Sequence, residues 1–149
     1  MSETFHPFLF HRSDWLGEGT IQLVGSDEKI HFYTRWIVAE MTEEGEIFAT
    51  QEVELVGSSE EKMVNHFKVY SIDQETFSLT IENDQIGSAR GKGVLKEKQL
   101  AWEFREQGHF EGFEMYDLVE ADRYQFHAEY LSDQFRSLIN GELWKKTVL

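Results

Sequence analysis

Cysteine is absent from this chain of 149 residues, and proline occurs once, at Pro7. Without cysteine there is no disulfide framework and no thiol nucleophile, so stability must rest on a packed core. The lone proline precedes the first extended segment, which leaves the later strands free of the residue that interrupts a ladder. Base is scarce too: 14 Lys and Arg stand against 28 Asp and Glu, a net charge of −14. Such a field repels phosphate backbones and anionic membrane surfaces, so neither nucleic acid nor membrane is an expected partner. No apolar run approaches the roughly 18 residues of a membrane span. The opening Met1-Ser2-Glu3-Thr4-Phe5 has none of the basic segment, apolar run or cleavage site of a signal peptide, and the expected location is the cytoplasm.

Aromatic residues, by contrast, are plentiful: 12 Phe, 5 Tyr and 4 Trp. They sit in about ten amphipathic stretches, at 15–24, 29–40, 46–56, 62–72, 75–82, 85–95, 98–106, 110–119, 122–131 and 135–146. Short turn sequences such as Gly25-Ser26-Asp27, Glu43-Glu44-Gly45, Asp73-Gln74 and Ala121-Asp122 separate them. Strands at this spacing, with no crossover-helix pattern between them, predict an antiparallel meander. Each has one apolar face, and rolling the sheet shut buries all of them while removing exposed edges. The expected fold is therefore all-β: a single domain, residues 1–149, forming an up-and-down barrel. Ahead of it, Phe5, Phe8 and Leu9 at helical spacing, with Thr4 as a possible cap, predict a short helical turn across one end of the barrel.

Alternation assigns the faces. Ile30, Phe32, Thr34, Trp36 and Val38 share one side of the second strand, and Ile47, Ala49, Gln51, Val53 and Leu55 one side of the third. Leu100, Trp102 and Phe104 oppose Glu103 and Arg105, while Tyr124, Phe126, Ala128 and Tyr130 oppose Gln125, His127 and Glu129. Two strands are ambiguous. In one, Gly87, Ala89, Gly91 and Gly93 alternate with Ser88, Arg90, Lys92 and Val94; in the other, Gly112, Glu114 and Tyr116 alternate with Phe113, Met115 and Asp117.

The opening Trp15-Leu16-Gly17-Glu18-Gly19-Thr20, the ten predicted strands and the closing Gly141-Glu142-Leu143-Trp144 resemble the calycin superfamily of lipocalins, fatty-acid-binding proteins and nitrobindin-like barrels. That resemblance implies a lipocalin-like barrel around a cavity for one small, largely apolar ligand. It spans nearly the whole chain as architecture. The chain departs from it in lacking the disulfides and signal peptide of secreted lipocalins and the room for a helix pair between its first two strands. A late-strand histidine serves haem-binding nitrobindin-like barrels; the candidate here, His127, alternates outward, so haem does not carry over.

Sharp catalytic and metal motifs are missing. The six histidines are scattered without metal-site spacing. Gly87-x-x-x-Gly91-x-Gly93 lacks the following Gly-Lys-Ser/Thr and helix of a phosphate loop, and no Gly-x-Ser-x-Gly elbow exists. Neither a metal nor a cofactor is expected. What stands out is polarity inside apolar faces, because a buried polar group costs about 1–3 kcal/mol unless paired. Trp36, Phe67, Trp102, Phe104, Phe126 and Tyr130 are the expected apolar wall, with Gln51, Asn65, Arg90, Glu114 and Tyr116 orienting a polar head group. Arg90 would pair with Glu114 or meet a ligand carboxylate. The expected function is binding of a small hydrophobic or amphipathic molecule by a monomer or homodimer. Two alternatives stand beside it: an enzyme using Glu114 and Tyr116 for acid/base chemistry, and an interaction module using the outer residues Tyr33, Ile37, Phe113 and Met115.

Overall fold

Ten strands follow one another round a closed barrel, each hydrogen-bonded to its sequence neighbours and the last to the first, all antiparallel. The computed structural model describes residues 6–57, 62–84, 87–106, 110–131 and 136–146. A short segment, α1 (Pro7–Phe10), precedes β1 (Ser13–Leu23), β2 (Lys29–Val38), β3 (Ile47–Leu55), β4 (Met63–Tyr70) and β5 (Thr76–Asn83). β6 (Gly87–Lys96), β7 (Gln99–Glu106), β8 (Phe110–Glu120), β9 (Arg123–Leu131) and β10 (Arg136–Lys145) complete the circuit. The alternation read from the sequence matches the burial of these strands: Phe32, Thr34, Trp36 and Val38 are buried on β2 while His31, Tyr33, Arg35 and Ile37 are exposed. No helix among the described residues is long and apolar enough to cross a membrane.

The small residues face inward. On β6, Ala89, Gly91, Gly93 and Leu95 are buried and Ser88, Arg90, Lys92 and Val94 exposed. A side chain on Gly93 would fall 2.1 Å from the Phe77 ring, and one on Gly91 2.9 Å from that of Phe104. Gly112 lies under Tyr130 and Gly141 under Phe126 in the same way. All four glycines are the register partners of those aromatics on the neighbouring strand. Each missing Cβ makes room for a ring over the strand, which fills the interior and permits the bending a closed barrel needs. The expectation that Arg90 points into the barrel is therefore wrong: the glycine face is the one that accepts rings, and Arg90 takes the other.

The expected helical turn is also modified. Phe8 has extended dihedrals and Leu9 a left-handed φ of 78°, so α1 is kinked rather than continuous. Successive positions in a regular helix turn by about 100°, and three consecutive side chains cannot all face one way. The kink lets Phe8, Leu9 and Phe10 enter the barrel together, with exposures of 0, 0 and 5%. Thr4 and Phe5, together with Phe135 of the last predicted strand, lie outside the described residues.

Candidate functional site

The two ends of the barrel are packed differently. At the α1 end, Trp15, Ile47, Val69, Leu79, Leu100, Tyr124 and Leu143 are wholly buried. Phe8 sits among Trp15, Trp36, Tyr116 and Tyr124 with ring centroids 5.1–5.8 Å away. Above this plug, Trp36, Phe67 and Trp102 meet edge-on or tilted at 4.9–6.3 Å, and Tyr116 stacks on Trp102 at 5.1 Å. These rings form a floor. Toward the other end the inward-facing Ile21, Val53, Leu55, Tyr130 and Ile139 are only half-buried, so this half of the interior is open to solvent.

Two polar groups stand on the wall of the open half. The first is a ladder across four strands: Asn83 donates to Asn65 at 2.8 Å, Asn65 to Gln51 at 2.9 Å and Gln51 to the Thr34 hydroxyl at 3.2 Å. Thr34 ends it by donating to the backbone oxygen of Glu52 at 2.9 Å. Gln51 and Asn65, one and two strands from Thr34, are direct register partners, which is why the two amides can be linked in one direction. An amide NH2 has two donors and its carbonyl two lone pairs, so the ladder keeps capacity for a further partner.

The second group centres on Glu114 of β8. Tyr116 donates to one carboxyl oxygen at 2.6 Å, and Tyr130 of β9 donates to the other. Burial raises the Glu114 pKa above the ordinary carboxylate value, opposed by the two phenol hydrogen bonds. Burial and the adjoining carboxylate push both phenols well above the ordinary tyrosine value. The buried Trp102 indole N–H meets no acceptor in ordinary hydrogen-bond geometry among the described residues. It does lie near enough to Tyr130 to favour that phenol's ionised form.

The residues expected at the site fall into three places. Gln51, Asn65, Glu114 and Tyr130 face the open half, with Phe126 beside them at 8% exposure. Trp36, Phe67, Trp102, Phe104 and Tyr116 are at most 2% exposed and act as floor and packing rather than as open wall. Arg90 is outside. Alternation alone did not separate floor from wall, because both have the same period. Sequence reasoning missed Asn83, whose pairing with Asn65 depends on strand register, and did not count Ile21, Val53, Leu55 and Ile139 among the site residues.

A groove of about 380 Å³ crosses the rim of the open end between β7 and β10. Its lining runs from the inner-face Phe104, Gly112 and Tyr130 to the outer Glu103, Arg105, Glu111, Phe113, Glu129, Leu131 and Arg136. Arg105 is paired with Glu103 at 2.8 Å and Arg136 with Glu129 at 2.6 Å. His127 lies outside the barrel, between Asn140 and Glu129. No group of three or more metal-binding side chains occurs among the described residues.

No protein family matches the sequence, and no curated protein does. Among solved structures, the S-type phycobiliprotein lyase CpeS from Guillardia theta is similar in shape, with a TM-score of 0.71 and 7% identity over 93% of this chain and 89% of that one. That likeness is one of fold alone, which in this chain is a closed ten-stranded antiparallel barrel.

Proposed function

We propose that the protein binds one small hydrophobic or amphipathic molecule in the open half of its barrel, without catalysing a reaction on it. The observation that carries this reading is the contrast between the two ends. The plugged end is filled to exclusion of solvent, while at the other end Ile21, Val53, Leu55 and Ile139 remain half-exposed beside an amide ladder. Apolar walls with a few convergent polar groups are the usual make-up of a small-molecule pocket. The neighbour's being a phycobiliprotein lyase supports a barrel of this shape as a site for small-molecule work. At 7% identity it transfers no residue role. The net charge of −14 supports a binder that acts apart from nucleic acid and anionic membranes; the proposed protein works in the cytoplasm as a monomer or homodimer.

Side-chain amide resonances test this directly. Titration with the neutral probe 1-naphthylmethanol is expected to shift the signals of Gln51, Asn65 and Asn83 and to change tryptophan emission from the Trp36–Trp102 floor. Saturable shifts confined to outward residues, or none at all, would overturn it.

A second reading, an acid/base enzyme in the same cavity, is favoured by one observation: Glu114 is a buried carboxyl held by two phenols. It predicts a turnover lost in Glu114→Gln, and an ordinary acidic titration of that carboxyl in NMR would dispose of it.

A further inference from the structure

Charge inside the barrel has one sign. Glu114 is the only charged side chain buried on the inner strand faces among the described residues. The cations of β6, Arg90 and Lys92, point outward. Each oxygen of Glu114 accepts one hydrogen bond from a tyrosine. A carboxylate offers about four acceptor sites, so capacity remains for another donor. Glu114 retains 9% of its surface accessible despite its depth.

The rim groove points the same way. It is lined by three acids, Glu103, Glu111 and Glu129, and two bases, Arg105 and Arg136. Both guanidinium groups are occupied by acids of the same groove, whereas Glu111 has no ion-pair partner among the described residues. Phe113 and Tyr130 supply aromatic groups along it, a surface that attracts organic cations. Tyr130 belongs both to this groove and to the hydrogen bonds of Glu114, so the two acidic features are connected through one side chain.

We propose that the barrel selects a small apolar molecule carrying a basic nitrogen, whose N–H meets the Glu114 carboxylate, and rejects carboxylic acids of the same size; this rests on the interior binding proposed above. An amine gains a charge-assisted hydrogen bond in a place of low dielectric. A carboxylic acid placed there meets another carboxyl group with no inward base to offset it.

The test compares three probes of matched apolar body on the full chain: 1-naphthylmethylamine, 1-naphthylmethanol and 1-naphthylacetate, by calorimetry. The amine is expected to bind about tenfold more tightly than the alcohol, with the acid weakest. In Glu114→Gln the amine's preference over the alcohol is expected to be lost. In the wild-type protein, nuclear Overhauser contacts are expected between the amine's methylene group and the rings of Tyr116 and Tyr130, a readout that needs no variant. Equal binding of acid and amine, an amine preference that survives Glu114→Gln, or contacts to outer Phe113 alone would overturn the inference while leaving interior binding intact. Failure of all three probes to bind would overturn both.

Discussion

His6 and Tyr124, 118 residues apart, share a hydrogen bond of 2.8 Å that latches the plug to β9. The other imidazole nitrogen of His6 lies 2.7 Å from the backbone oxygen of Lys96. A carbonyl can only accept, so Nε2 carries the proton and donates; Nδ1 then accepts from the Tyr124 hydroxyl. That hydroxyl also accepts from the backbone N–H of Phe8 at 3.4 Å. One phenol thus holds the kinked segment at two points, the second of them directly before the left-handed Leu9.

Tyr124→Phe is accordingly expected to destabilise the fold by about 1–3 kcal/mol, because it strands a buried imidazole nitrogen and loosens a buried backbone donor. Urea denaturation measures the loss. A change within error would show that α1 is held by apolar burial alone.

Packing of rings over glycines makes a second, graded prediction. Gly19→Ala would bring a Cβ 2.2 Å from the backbone oxygen of Asn140, whereas Gly93→Ala would meet the edge of the Phe77 ring at 2.1 Å. Main chain inside a closed ladder cannot yield, but a ring can tilt. Gly93→Ala is expected to cost about 1–3 kcal/mol and Gly19→Ala more. Pairing Gly93→Ala with Phe77→Leu should recover part of the loss, and thermal unfolding of the four proteins checks both the order and the rescue.

These same contacts explain which parts of the architecture were readable in advance. A period of two is plain on β2 and β6 because one face of each packs inside a closed sheet, and strand number and order follow from the chain. Arg90 was misplaced because glycine carries no hydrophobic signal; only Phe77 and Phe104, on neighbouring strands, reveal that the glycine side is the interior. Glu114 shares a strand face with the aromatic Tyr116, yet its second donor, Tyr130, comes from another strand. Asn83 was invisible for a related reason: its link to Asn65 is a property of register. The division into floor and open half depends on Phe8, whose insertion requires a kink that no helical or strand period encodes.

The amide ladder supplies a test of coupling. Gln51 accepts from Asn65 and donates to Thr34, so Gln51→Ala leaves a buried amide donor and a buried hydroxyl each short of one partner. A cost of about 1–3 kcal/mol is expected. A double-mutant cycle with Asn65→Ala should return about 0.5 kcal/mol or more of interaction energy, as for residues in direct contact. Strict additivity would mean that water or solvent relaxation replaces the link.

Glu114 makes a prediction whose sign can be worked out. Its carboxyl is held above the ordinary value of 4.5 in the folded chain, chiefly by burial. Between that value and the raised one, the unfolded chain has released the proton and the folded chain still holds it. The folded state therefore binds more protons, and stability from this group, fully present below about 4.5, is lost as pH rises through the window. Glu114→Gln keeps the size and an acceptor for Tyr116 but removes the titration. Its stability relative to the parent should consequently rise from acidic to neutral pH, whatever the other carboxylates do to both proteins alike. Parallel urea curves across that range measure the difference. A difference that stays flat would mean that the two phenol hydrogen bonds fully offset the burial, and that the carboxyl ionises as readily in the barrel as in water.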